Sequence, residues 1–166
     1  MRVLFLTHNY PRTAGDVAGA YLHPIEEPHR ELGVDVQVIA QSDRGLGGVA
    51  RLDGVPGRRV RYAVAPRETL AYGGTMLQAL RSVSGWRALA GLHDAFRREV
   101  RRQLQEHPDT VVHAHWWVPA ALALPAGVRH VVTCHGTDVR LLRGPLPIRW
   151  LGRRVLRRAT VITTVS

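Results

Sequence analysis

The chain has 166 residues, 45% hydrophobic and 22% charged, proportions that fit one soluble globular domain and exclude a disordered tail. Its net charge is +10, all 23 basic residues are arginine, and the single cysteine, Cys134, excludes an internal disulfide framework and agrees with a reducing compartment. No apolar run approaches the roughly 20 residues of a membrane span, and the N-terminal one ends near Thr7, short of a secretory h-region. A buried first strand and a cytoplasmic protein are therefore expected.

Arg2 to Thr7 (RVLFLT) reads as a central parallel strand buried on both faces. The polar loop HNYPRTAGDVAG follows, then helix formers over 20–33, interrupted by Pro24 and Pro28 and stopped by Gly33. A kinked or late-starting helix is expected there. Val34 to Ala40 is the second strand. Residues 41–58, rich in Gly, Asp and Arg, read as a long loop, and 58–64 (RRVRYAV) as a third strand. Residues 66–83 are weakly helical around Gly73-Gly74. The clearest helix runs from Trp86 to Glu106, with Leu89, His93, Phe96, Val100 and Leu104 on one stripe. Strands at 110–114 and 129–134 flank a short Ala/Leu helix at 118–124. A basic helix from about Ile148 to Arg158 precedes a last strand, ATVITTVS.

Strands alternating with helices predict an α/β fold: a doubly wound, mostly parallel Rossmann-like sheet. Ligands of such sheets bind beyond the carboxyl ends of the strands. Unusual polar groups stand there three times: His8-Asn9 after the first strand, His115-Trp116 after the fourth, and His135 to Asp138 after the fifth.

Each group has a plain reading beside a chemical one. Gly15 and Gly19, flanking Asp16, would let backbone N–H groups approach a phosphate or sugar, but an ordinary flexible loop fits equally well. The loop is not GxGxxG, and no acidic residue closes the second strand as a dinucleotide site requires. His113 and His115 share one face of their strand. His113, nearer the core, reads as structural; His115 reads as a ligand contact and Trp116 as a stacking platform. Zinc held by His113, His115 and His135, with Asp138, is a further alternative. Cys134 and His135 are neighbours on a strand and point to opposite faces, so Cys134 reads as a small buried hydrophobe and not as a nucleophile. His135, followed by Gly136, Thr137 and Asp138, reads as functional. The arginine runs 97–102 and 153–158 fit solvated helix faces, or an anionic membrane, nucleic acid or an acidic partner.

Taken in order, RVLFLTHNYPRTAGD, ELGVDVQVIA, VVHAHW, VVTCHGTD and RRVLRRATVITTVS resemble the N-terminal half of a family-4 glycosyltransferase of GT-B architecture, across essentially the whole chain. The resemblance implies a single acceptor-side domain over 1–166. It implies transfer of a sugar from a nucleotide-sugar to an acceptor with retention of configuration, without metal and with no cofactor beyond that co-substrate. His135 would stand beside the transferred sugar as the catalytic residue. Gly15, Asp16, Gly19, His115, Trp116, Gly136, Thr137 and Asp138 would line the substrate side. The family's nucleotide-sugar site, with its paired glutamates and basic residues, belongs to a C-terminal domain absent from this chain, so the 166 residues alone are expected to be inactive. The acceptor would be a sugar, a lipid-linked molecule or another small molecule, and lipid-linked acceptors would suit peripheral contact with an anionic membrane. The alternatives are a non-enzymatic Rossmann-like module for an anionic partner, with nucleic acid the less favoured, and a zinc hydrolase using His113, His115 and His135.

Overall fold

In a computed structural model, residues 1–22, 29, 31–70, 72 and 76–165 are described. Among them seven strands form one sheet: β1 (Arg2–Thr7), β2 (Asp35–Gln41), β3 (Gly48–Leu52), β4 (Val55–Val60), β5 (Val111–His115), β6 (His130–Cys134) and β7 (Val161–Thr164). Their order is β3-β4-β2-β1-β5-β6-β7, and every neighbouring pair is parallel except β3 with β4. This is the expected mostly parallel Rossmann-like α/β layer. The chain steps to one side of β1 for β2 and returns to the other side for β5, so the switch point lies between β1 and β5. Beyond their carboxyl ends a crevice opens.

The apolar run of β1 needs cover on both faces, and side-chain alternation supplies two cores. Leu4 and Leu6 join Ile39, Val112, Val132 and the helices, while Val3 and Phe5 join Val36, Val38, Val55 and Leu22 on the other face. Helices are α1 (Met76–Ala79), α2 (Val83–Glu106), α3 (Thr137–Leu141) and α4 (Leu146–Leu156). Ser82 caps α2, its hydroxyl accepting the Gly85 N–H at 3.1 Å. The buried stripe of α2 runs through Ala88, Leu92, Ala95, Phe96, Glu99, Val100 and Gln103. It is rotated from the expected one, so Leu89 and Leu104 pack at its margin and His93 is only half-buried. Two polar residues tolerate the buried face because they are paired. Glu99 meets Arg58 at 3.1 Å and Arg102 at 2.6 Å, and Gln103 accepts from Arg2 at 3.3 Å.

Several expectations change. Residues 41–58 are no long loop: β3 and β4 form an antiparallel hairpin there, turned at Asp53 (φ 47°) and Gly54 (φ 83°). Two successive positive φ values are the geometry that favours Asp-Gly in tight hairpins. The strand expected at 58–64 ends at Val60. The helix expected at 118–124 is a single 3-10 turn, Ala121–Ala123, as is Ala65–Arg67 at the head of the weakly helical segment. α4 begins at Leu146, two residues early, because Pro147 falls in its first turn, where its missing N–H is harmless. Of the helix expected over 20–33, Ala20–Leu22 is a 3-10 turn, whereas Pro24 and Pro28 lie outside the described residues, as do Gly73 and Gly74.

Candidate active site at the strand ends

The three polar strand ends converge. At the end of β5, Nδ1 of His115 lies 3.0 Å from Nε2 of His135, just beyond β6, with ring centroids 5.2 Å apart. Trp116 turns back with φ 71°, lays its indole on the His135 ring at 4.1 Å and 27°, and meets His8 of the β1 end edge-on at 4.4 Å. Its Nε1 donates to the Thr137 hydroxyl at 3.2 Å. Gly136, at φ 86°, makes the sharp step from β6 into α3 that an L side chain would resist.

Asp138 is buried and ties these ends together. One carboxylate oxygen accepts the backbone N–H of His135 at 2.9 Å and of Val139 at 3.0 Å; the other accepts that of Trp117 at 3.2 Å. The Asp138 carbonyl also accepts from Trp117 Nε1 at 2.8 Å. This carboxylate is therefore occupied with three backbone N–H groups.

The glycine loop reaches the same place. Asp16 accepts from the Arg12 guanidinium at 2.7 Å and from the Ala18 N–H at 3.1 Å, and Arg12 also reaches Asp43 at 2.9 Å. These bonds hold the Asp16 carboxyl well below the usual carboxylate range. Asp16 thus closes the loop through an ion pair with Arg12. Gly15 is exposed. Gly19 is pressed so closely on the β1 end that a Cβ would sit 2.5 Å from the Asn9 carbonyl oxygen. The tight fold-back sets the Tyr21 ring 5.2 Å from His135. No sequence signal marked Tyr21, an aromatic in an irregular segment.

Beyond these ends lies a cavity of about 470 Å³. His8, Asn9, Trp116, Thr137 and Asp138 line its polar side; Leu70, Met76, Leu77, Val118 and Leu141 line the other. His135 is not part of that lining and touches it through Trp116. His115 is 0% exposed and reaches the rim through His135. Trp116 is 9% exposed, with a ring face spent on His135, so it forms a wall and not an open stacking platform. His113 stacks on His115 at 4.5 Å and 24°, with Nε2 2.7 Å from the Thr133 hydroxyl. Stacked rings do not aim their nitrogens at one ion, and among the described residues no group of three His, Cys, Asp or Glu side chains could hold a metal.

Burial keeps these imidazoles neutral. His8 and His113 fall to about 4, each chiefly by desolvation, and His115 falls to about 2 by desolvation and the nearby His113 and His135. His135 is lowered by burial against the opposing pull of Asp138. Burial pushes the Cys134 thiol up to about 12, which makes it inert as a nucleophile. Among the described residues the rim thus offers neutral donors and acceptors, suited to hydroxyl groups.

The arginine runs differ from each other. Arg102 pairs with Glu99 and Glu106 on α2. On α4 and at its C-cap, Arg149, Arg153, Arg154 and Arg157 have no carboxylate partner among the described residues and line a groove of about 690 Å³ with Leu146 and Trp150.

No helix among the described residues is long and apolar enough to cross a membrane. A comparison with curated proteins finds no match to the chain. The family described as glycosyl transferase 4-like domain matches residues 18–166, which include the β5 and β6 ends, α3, α4 and β7. The chain belongs to the glycosyl transferase 4-like domain family.

Proposed function

We propose that the chain is the acceptor-side domain of a retaining glycosyltransferase, which moves a sugar from a nucleotide-sugar to an acceptor hydroxyl without a metal. The observation that carries this reading is the convergence of His135, Thr137, Trp116 and His8 beside one cavity at the switch point of the sheet. The acceptor occupies the cavity. The donor sugar arrives on a second, nucleotide-binding domain and meets the half-buried His135 and the exposed Gly136 and Thr137 at the lip. There, preorganised hydrogen bonds hold the ring as the anomeric carbon parts from the diphosphate and positive charge develops on it. Gly15, Asp16 and Gly19 act by shaping the loop that carries Tyr21, while His115 and Asp138 position His135. The test joins this chain to its nucleotide-sugar-binding half and follows sugar transfer by NMR of the product anomer. Retained configuration and insensitivity to EDTA are expected, with no transfer by the 166 residues alone; an inverted product or a chelator-sensitive reaction would contradict the reading.

A peripheral membrane contact is favoured by one surface. α4 presents Leu146, 75% exposed, and Trp150, 64% exposed, between four carboxylate-free arginines. An apolar anchor ringed by cations matches an interface with anionic headgroups. The protein is then cytoplasmic and works on an acceptor presented at that surface.

A further inference from the structure

We infer that His115 is a positioning residue that fixes the tautomer of His135: it donates from Nδ1 to Nε2 of His135, so that the rim imidazole carries its proton on Nδ1.

The 3.0 Å contact between the two nitrogens holds one proton, and either ring could supply it. The rest of His115 decides which. Its Nε2 is buried, with no hydrogen-bond partner among the described residues. Were His135 the donor, His115 would keep its own proton on Nε2, an N–H sealed in the interior without an acceptor. With His115 donating, Nε2 is only an unused lone pair, and orphaned buried N–H groups are the rarer defect. A charged His115 would again seal an N–H on Nε2 without an acceptor, and its burial keeps it neutral. The ring has little freedom to choose otherwise, because His113 stacks on it at 4.5 Å and is itself held by Thr133 at 2.7 Å.

The consequence falls on His135. Its Nε2 accepts, so the neutral ring bears its proton on Nδ1, which has no partner among the described residues. A second proton would set two N–H groups face to face across the 3.0 Å contact, so the bond also opposes charging of His135. Trp116 on one face and Tyr21 nearby keep the ring in plane with this bond. On the glycosyltransferase reading, on which this clause rests, His135 donates a hydrogen bond to a sugar oxygen and does not take the acceptor's proton.

The test is a two-bond ¹H–¹⁵N correlation spectrum of the histidine-labelled chain near neutral pH, with His135→Asn identifying its signals. The expected result is Nδ1 protonated and Nε2 bare in both His135 and His115, although an unconstrained imidazole favours the Nε2–H form. In His115→Phe, His135 reverts towards Nε2–H; in His115→Asn, whose carboxamide N–H replaces the lost donor, the Nδ1–H form returns. A native His135 protonated on Nε2, or a tautomer unmoved in a folded His115→Phe, overturns the inference. Should His115→Phe fail to fold, the native spectrum and His115→Asn decide it. No substrate is needed, so the expected tautomer without sugar transfer in the complete protein would refute the proposed function and still support the bond.

Discussion

Asp138 accepts the backbone N–H of Trp117 at 3.2 Å, and through that bond one side chain joins the end of β6 to the end of β5. The same carboxylate takes the N–H groups of His135 and Val139. Removing it leaves three N–H groups in the rim without their acceptor. Asp138→Ala should lose about 3 kcal/mol of stability in urea denaturation, the scale of a buried charged acceptor lost. Asp138→Asn should lose less, because its oxygen still serves one strand end while its NH₂ opposes the other. Equal stability of all three proteins would refute this clamp.

Gly15 and Gly19 separate two effects that their sequence context does not distinguish. Both have positive φ, +82° and +75°, but a Cβ at Gly15 meets nothing within 4 Å, whereas one at Gly19 meets the Asn9 backbone. Gly15→Ala should cost about 1 kcal/mol, the left-handed penalty alone. Gly19→Ala should cost at least about 2 kcal/mol more, since the chain must move to relieve overpacking, and should change the Tyr21 environment beside His135. Thermal unfolding and tyrosine fluorescence measure the pair; similar losses at both sites would contradict the fold-back.

Acid should destabilise the protein earlier than its carboxylates alone predict. His8, His113 and His115 have folded pKa values below their ordinary 6.5, so the unfolded chain binds their protons first. Stability rises with pH wherever the unfolded state holds more protons. This contribution is therefore complete above about 6.5 and is lost as pH falls towards 4. Asp16, depressed by Arg12, adds a second loss below its ordinary 3.8. Urea midpoints across this range should fall steeply below pH 6.5, and His113→Phe should flatten the slope by about one proton. A flat profile would contradict the burial of these rings.

The α4 surface predicts salt-sensitive binding to anionic vesicles. Each basic residue near a charged bilayer adds about 1 kcal/mol, so replacing Arg149, Arg153, Arg154 and Arg157 with glutamine should abolish flotation with phosphatidylserine vesicles. Trp150→Ala should weaken it less. High salt should release the native protein. Binding to neutral vesicles alone would contradict an electrostatic contact.

Much of the scaffold was legible because burial writes itself into the chain. β1, β5 and β6 are apolar runs that end abruptly in polar groups, and the crevice follows from parallel topology. The β3–β4 hairpin was missed: Asp53-Gly54 makes its turn, but the Gly and Arg content around it reads as loop. The stripe of α2 was misplaced because Glu99 and Gln103 look solvent-facing until their arginine partners, distant in sequence, are present. The candidate site divides the same way. Composition drew attention to His135 and Asp138, yet whether a polar group faces a ligand or a backbone amide depends on contacts across strands. For that reason the burial of His115 and the backbone bonds of Asp138 were not legible, although Trp116 and Asp138 do line the cavity, and Tyr21 carries no mark at all.

The central claim is that the His135 imidazole, held at the lip of the cavity, meets the transferring sugar. The direct measurement is kcat/KM for sugar transfer by the complete enzyme with His135 and with His135→Ala, on proteins of matched stability. A lost donor in a preorganised site predicts a fall of about 100-fold. An unchanged kcat/KM would contradict it.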